Sequence, residues 1–152
     1  ALWTLSACFR AAGRNIGVAT GTCAGDSGPA FSMEEAIIRG VAMAVTLTTC
    51  SAAYNWGSGM DGITARVHAD VMEQVAPITG QKANGLLQSI SRLLDELVQA
   101  GGNPLSFNER AFPYRYDVEK VEPKPEYVDQ VKRAVEMLAK AGVPFSSNLV
   151  LD

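Results

Sequence analysis

The sequence predicts a mostly helical chain that forms the closing part of a larger α/β protein. Three observations predict it. Residues 1–59 carry only six charged side chains (Arg10, Arg14, Arg39, Asp26, Glu34 and Glu35), whereas residues 60–152 carry 23. Solvated faces need charge, so the first third reads as buried on most sides. Second, one short strand candidate stands in an order of helices, and a single strand cannot satisfy its own backbone groups. Third, the chain opens on Ala1-Leu2-Trp3 with no initiator methionine. A self-contained helical bundle is the other architecture that this order of elements allows.

Composition narrows the class further. The chain has 152 residues, 47% of them hydrophobic and 19% charged, with a net charge of −3. A chain of this length buries roughly two-thirds of the surface it exposes when unfolded, enough for an ordinary core. Ample aliphatic residues and modest charge exclude a disordered chain. Thirteen basic residues against sixteen acidic ones leave no positive excess to neutralise phosphates, which argues against nucleic acid as a partner. Three cysteines are an odd number, which points to free thiols, a reducing compartment and hence the cytoplasm. Residues 40–60 carry no charge, but Thr46, Thr48, Thr49, Ser51, Asn55 and Ser58 interrupt them. A membrane span needs about 20 predominantly apolar residues. A helix sandwiched inside a larger protein fits this stretch better.

The elements follow in order. Leu2, Leu5, Cys8, Phe9 and Ala12 share one helical face, and that helix fades near Gly13-Arg14-Asn15. Residues 16–20 (Ile-Gly-Val-Ala-Thr) form the strand candidate, and residues 21–29 read as a loop of small and polar side chains. Ser32 and Glu35 have the spacing of a capping box and open a helix running to about Ala53. A further helix covers residues 61–75, with Ile63, Val67, Val71 and Val75 at successive i, i+4 positions; Pro77 breaks it. A long amphipathic helix covers residues 81–100 and stops at Gly101-Gly102-Asn103-Pro104. Residues 107–121 read as irregular, their aromatics Phe107, Phe112, Tyr114 and Tyr116 locking the segment onto the core. Pro125 then sits in the first turn of a helix ending at Gly142. The chain thus divides into residues 1–103, which hold the strand candidate and the first helices, and residues 104–152, an irregular aromatic segment with a helical C-terminal extension.

Candidate chemistry concentrates in one loop. It follows a strand and precedes a capped helix, and in α/β folds ligands gather at the carboxyl ends of strands. Thr20, Thr22, Cys23, Asp26 and Ser27 offer that pocket hydroxyls, a thiol and a carboxylate; as simple turn formers, Asp26 and Ser27 would only bond the loop backbone. The run Cys23-Ala24-Gly25-Asp26-Ser27-Gly28-Pro29 looks like the nucleophile loop of trypsin-like serine proteases. That chemistry needs a histidine beside the serine. The one histidine, His68, lies downstream in a predicted helix, and the chain offers one strand where that fold needs many. His68 reads as a hydrogen-bonded or solvent-facing side chain, since no Cys or His stands at i+3 or i+4 to share a metal. Cys8, Cys23 and Cys50 are spaced too widely for a chelate and read as buried thiols. No metal ligand set and no catalytic residue is assigned.

From Gly62 onward the chain resembles the monomethylamine methyltransferase family, the pyrrolysine-containing, corrinoid-dependent enzymes of methylamine-using methanogens and their bacterial relatives. The residues that carry the resemblance are Gly62-Ile63-Thr64-Ala65-Arg66 with Asp70-Val71, then Phe107-x-Glu109, then Tyr116-Asp117-Val118-x-x-Val121-x-Pro123-x-x-Glu126-Tyr127. It continues in register through Ala134, Leu138, Gly142 and Phe145, with residues 110–115 as a short insertion, and covers about 85 of the 152 residues. Upstream, Cys23-Ala24-Gly25 is similar to a family loop.

The resemblance implies the C-terminal βα part of a TIM-type (β/α)8 barrel followed by a helical extension. Such a barrel needs about 250 residues, so this chain supplies its last part. In the family, pyrrolysine at the barrel mouth captures a small methylated amine, and the methyl group passes to a Co(I) corrinoid carried on a separate corrinoid protein. The pyrrolysine lies upstream of anything in this chain. Where the family carries a glutamine four residues before the matching cysteine, Ala19 stands here, which leaves the methyl donor open. None of the five lysines (Lys82, Lys120, Lys124, Lys132 and Lys140) lies in the apolar first third, so none is placed to become a reactive amine. The chain is therefore expected to be inactive alone, to bind no cofactor itself, and to self-associate through its apolar first third. A non-catalytic helical binding or oligomerisation module derived from the same family is the other reading.

Overall fold

Two short polar side chains, Ser32 and Asp61, start the helices around which the chain is built. The computed structural model describes residues 2–15, 21–23, 30–50, 54–56, 61–106, 109 and 111–151. Helix α1 is Leu2–Asn15, strand β1 is Gly21–Cys23, helix α2 is Met33–Thr49, strand β2 is Tyr54–Trp56 and helix α3 is Gly62–Val75. Helix α4 (Gly80–Ala100) and the one-turn α5 (Phe112–Arg115) follow, then strands β3 (Tyr116–Asp117) and β4 (Glu122–Pro123), and last helix α6 (Pro125–Lys140).

At the start of α2, the Ser32 hydroxyl accepts from Glu35 N at 3.1 Å, as the spacing predicts. Glu35 reaches back one residue further than an ordinary capping box, accepting from Phe31 N at 2.7 Å. Helix α2 then runs through the core and packs against α1, α3, α4 and α6. Ile38 and Leu47 lie on opposite sides of the helix at 100° per residue, yet both are 0% exposed. Cover on every side explains why the second half of this helix carries no charge, because each charge there would need a buried partner. Gly40 permits the close approach of α3: a Cβ at that position would lie 2.7 Å from His68 Nε2.

Helix α3 is amphipathic, burying the predicted Ile63, Val67, Val71 and Val75. Helix α4 buries Ala83, adds Leu86 and Ile90 to the same core and ends at Gly101, whose φ of 69° suits glycine. Pro125 occupies the first turn of α6, which buries Tyr127, Val131, Ala134 and Leu138 before Gly142 ends it at φ 93°. Strands β3 and β4 pair antiparallel, Tyr116 opposite Pro123 and Asp117 opposite Glu122. Their connection turns on the Asp117 carboxylate, which accepts from Glu119 N and Lys120 N at 3.0 and 3.2 Å.

Several expectations are corrected. The described strand is Gly21–Cys23, inside the segment that reads as loop; residues 16–20 lie outside the described residues. Nor is that strand alone. β1 pairs in parallel with β2, Gly21 opposite Tyr54, Thr22 opposite Asn55 and Cys23 opposite Trp56, with α2 as the crossover between them. Tyr54-Asn55-Trp56 is too short to show an alternating pattern, so periodicity could not distinguish it from the end of the preceding helix. That helix stops at Thr49, and residues 51–53 lie outside the described residues. The segment expected to be irregular, residues 107–121, contains the helical turn α5 and strand β3, whose partner β4 follows directly after it. The first third is also not uniformly buried. In α1, Thr4, Ala7, Cys8, Arg10, Ala11, Arg14 and Asn15 are exposed, so the thiol of Cys8 is open whereas that of Cys50 is buried. Among the described residues no helix is long and apolar enough to cross a membrane.

Candidate functional site

Among the described residues, the carboxylate of Asp61 gathers the most hydrogen-bond partners. It caps α3, its Oδ1 accepting from Ile63 N at 3.1 Å and Thr64 N at 3.0 Å. The Thr64 hydroxyl accepts in turn from Asp61 N at 3.1 Å, closing a capping box. Oδ2 receives the Arg115 guanidinium at 2.7 Å and the Tyr127 hydroxyl at 2.5 Å, and Tyr116 OH lies 3.4 Å from Oδ1. The carboxylate side chain is 2% exposed and that of Arg115 11%. Three elements converge here: the start of α3, the α5–β3 corner and the first turn of α6.

The aromatic rings hold the arrangement from outside. Phe112 stacks on Tyr116 with centroids 4.4 Å apart, Tyr127 lies tilted 6.0 Å from Tyr116, and the Arg115 guanidinium sits 5.6 Å from the centre of the Tyr127 ring. Tyr116 thus locks the segment as the aromatics predict; Tyr114 is exposed, and Phe107 lies outside the described residues. Burial, reinforced by the charge of Asp61, raises the pKa of both Tyr116 and Tyr127. Both therefore remain hydrogen-bond donors. With its two oxygens shared among these donors, Asp61 acts as a fastener and is not placed as a free base.

His68, about two turns along α3 from Asp61, is buried at 8% exposure, and Nδ1 has no hydrogen-bond partner among the described residues. This corrects the expectation of a hydrogen-bonded or solvent-facing ring. Burial lowers its pKa to about 4, against the opposing pull of the Asp61 charge, so the imidazole is neutral at pH 7. Beside the network, a small cavity of about 210 Å³ is lined by Gly62, Ile63, Arg66, Tyr116, Pro123 and Val150. Arg66 closes one side of it by donating to the Val150 carbonyl at 2.9 Å.

The loop residues singled out in the sequence are only partly placed. Thr22 and Cys23 lie on β1, at the register of Asn55 and Trp56, and so belong to a strand and not a loop. Thr20, Asp26 and Ser27 lie outside the described residues. Among the described residues no group of three His, Cys, Asp or Glu side chains is gathered as a metal ion would need. Sequence reasoning missed the joining of Asp61 to Arg115 and Tyr127. The signal for half of it was present, since Asp61-x-x-Thr64 ahead of an apolar stripe is a capping pattern. The other half depends on residues more than fifty positions away. No family model matches the chain, and no curated protein or solved structure matches it.

Proposed function

We propose that the chain is the C-terminal portion of a corrinoid-dependent methylamine-type methyltransferase, supplying the last βα units of a (β/α)8 barrel and its helical extension. One observation carries the reading. The sequence blocks on which the family resemblance rests, Gly62–Arg66 and Tyr116–Tyr127, meet at one buried carboxylate, Asp61. Residues that look unrelated in the sequence are thus parts of one packed unit. A resemblance shared by both blocks is therefore a resemblance in how that unit is built. The parallel β1–α2–β2 arrangement supports the same reading, because a strand–helix–strand crossover is the repeating unit of such a barrel.

In this reading the carboxyl ends of β1 and β2, at positions 23 and 56, border the pocket that receives a small methylated amine. The methyl group passes there to a Co(I) corrinoid brought by a separate protein, in the cytoplasm. This chain's own residues contribute scaffold: α2 fills the space between the strands and the outer helices, and the Asp61 network pins the extension to α3. The electrophilic residue that holds the amine belongs to the part upstream, so the chain alone carries no transfer.

The coding DNA upstream of Ala1 tests the proposal. An open frame that continues through an in-frame amber codon into a barrel-length segment supports it. A start codon immediately before Ala1 overturns it. So does methylcobalamin formed spectroscopically from reduced cobalamin and methylamine by the 152-residue chain alone.

A further inference from the structure

A groove of about 800 Å³ runs between α1, the C-terminal end of α2 and the first half of α4. Its size falls in the range of small-molecule pockets, roughly 300–1,000 Å³. One wall is a ladder on α4: Gln81, Asn84, Gln88 and Ser91, spaced at i, i+3, i+7 and i+10 and so on one helical face. This ladder offers carboxamides and a hydroxyl along the length of the groove. Arg10 of α1 and Arg92 of α4 line it as well, and among the described lining residues none is acidic. Both arginines are exposed, and among the described residues neither enters an ion pair; Arg92 makes only a long contact, 3.4 Å, to the carbonyl of Gln88 on its own helix. Cys50 and Leu87 give the floor an apolar part. The first turn of α4 adds to the same polarity, because Thr79 provides no side-chain cap to the amides of a helix start that also lines the groove.

We propose that this groove binds a small molecule carrying an oxyanion, phosphate or carboxylate. Arg10 and Arg92 take the charge, and the carboxamide ladder hydrogen-bonds the remainder. Charge complementarity is the argument: two guanidinium groups and the four neutral hydrogen-bonding side chains of the α4 ladder recognise an anion, and none of the described lining residues is acidic to balance a cation. Guanidinium groups bind planar or tetrahedral oxyanions in a fork, so both oxyanion classes suit the same residues. The site is independent of the methyl-transfer reading and stands or falls separately.

Calorimetric titration of the 152-residue chain with inorganic pyrophosphate and with citrate, at ionic strength held constant with sodium chloride, tests it. Saturable binding of one of them is expected, pyrophosphate marking a phosphate headgroup and citrate a carboxylate. Binding should weaken at least about tenfold in Arg10→Gln/Arg92→Gln, since each charge-assisted hydrogen bond lost is worth that much or more. Asn84→Asp, which places a negative charge in the groove without changing its shape, should weaken it similarly and serves if the double variant does not fold. Arg133→Gln, whose exposed guanidinium pairs with Glu34 on α2, should leave it unchanged. Absence of saturable binding in the unaltered chain overturns the proposal. Equal affinity in the groove variants does so too, as does an equal loss in Arg133→Gln.

Discussion

Two buried carboxylates anchor this fold, and they are held in opposite ways. Glu35 is 0% exposed and takes its partners from its own neighbourhood: Phe31 N four residues before it and the Arg39 guanidinium four residues after it. Asp61 is 7% exposed and takes two amides from its own helix, but Arg115, Tyr116 and Tyr127 come from 54, 55 and 66 residues away. The first arrangement forms as soon as α2 forms. The second exists only once α3, the α5–β3 corner and α6 have docked. Local partners secure a helix start; distant partners secure the way elements are assembled, so losing them should unfold more of the molecule.

Replacing each acid by its amide puts that difference to measurement. In Asp61→Asn the single carbonyl oxygen can face the α3 amides, which turns the new NH2 towards Arg115 and Tyr127, both donors. Breaking a buried ion pair in this way costs about 4 kcal/mol, read as a drop in the urea midpoint at unchanged m-value. A loss as small as that of the Glu35 variant would remove the distinction between the two sites.

The next effect is a pH dependence arising beside Asp61. His68 has a folded pKa of about 4, below its ordinary 6.5, so the unfolded chain takes up the proton first. The stability this represents is complete above pH 6.5 and is lost as pH falls towards 4, a total of about 3 kcal/mol. His68→Leu removes the titrating group, so its stability should fall less steeply than the unaltered chain's over that interval. Parallel profiles would show that the ring titrates normally. Because the Asp61 charge favours the imidazolium, Asp61→Asn should lower the His68 pKa further.

The smallest effect belongs to Glu35→Gln. The amide oxygen can still accept from Phe31 N, and what is lost is an i, i+4 ion pair to an arginine whose side chain is 31% exposed. Solvent screening keeps such a pair near or below about 1 kcal/mol. A loss approaching that of Asp61→Asn would mean that depth of burial, and not the origin of the partners, sets the cost.

Much of this was legible in the residues themselves. Ser32 and Pro125 mark helix starts by the bonds they make or omit, Gly101 and Gly142 mark stops by the φ they allow, and the Ile63–Val75 stripe marks a core face by period. Residues 40–49 lack charge because the helix they form is covered all round, and that absence can be read without coordinates. The pairing of β1 with β2 was not legible: three residues on each side are too few for alternation, and their partnership is made across a crossover. His68 misled for a related reason. Its neighbours Arg66 and Asp70 are polar, and the ring lies buried against α2, which approaches closely at Gly40.

The sequence by itself determined most helix starts and stops, though not the end of α2 or the single turn of α5, and which faces turn inward, because capping, backbone φ and apolar period act over one to four residues. Tertiary structure alone decided which elements meet: the parallel strand pair, the Gly40–His68 contact and the gathering of Arg115 and Tyr127 on Asp61. The physical reason is distance along the chain. A hydrogen bond between residues 61 and 127 leaves no mark on its neighbours in the sequence, and it forms only after burial of the intervening helices has offset the entropy of bringing them together.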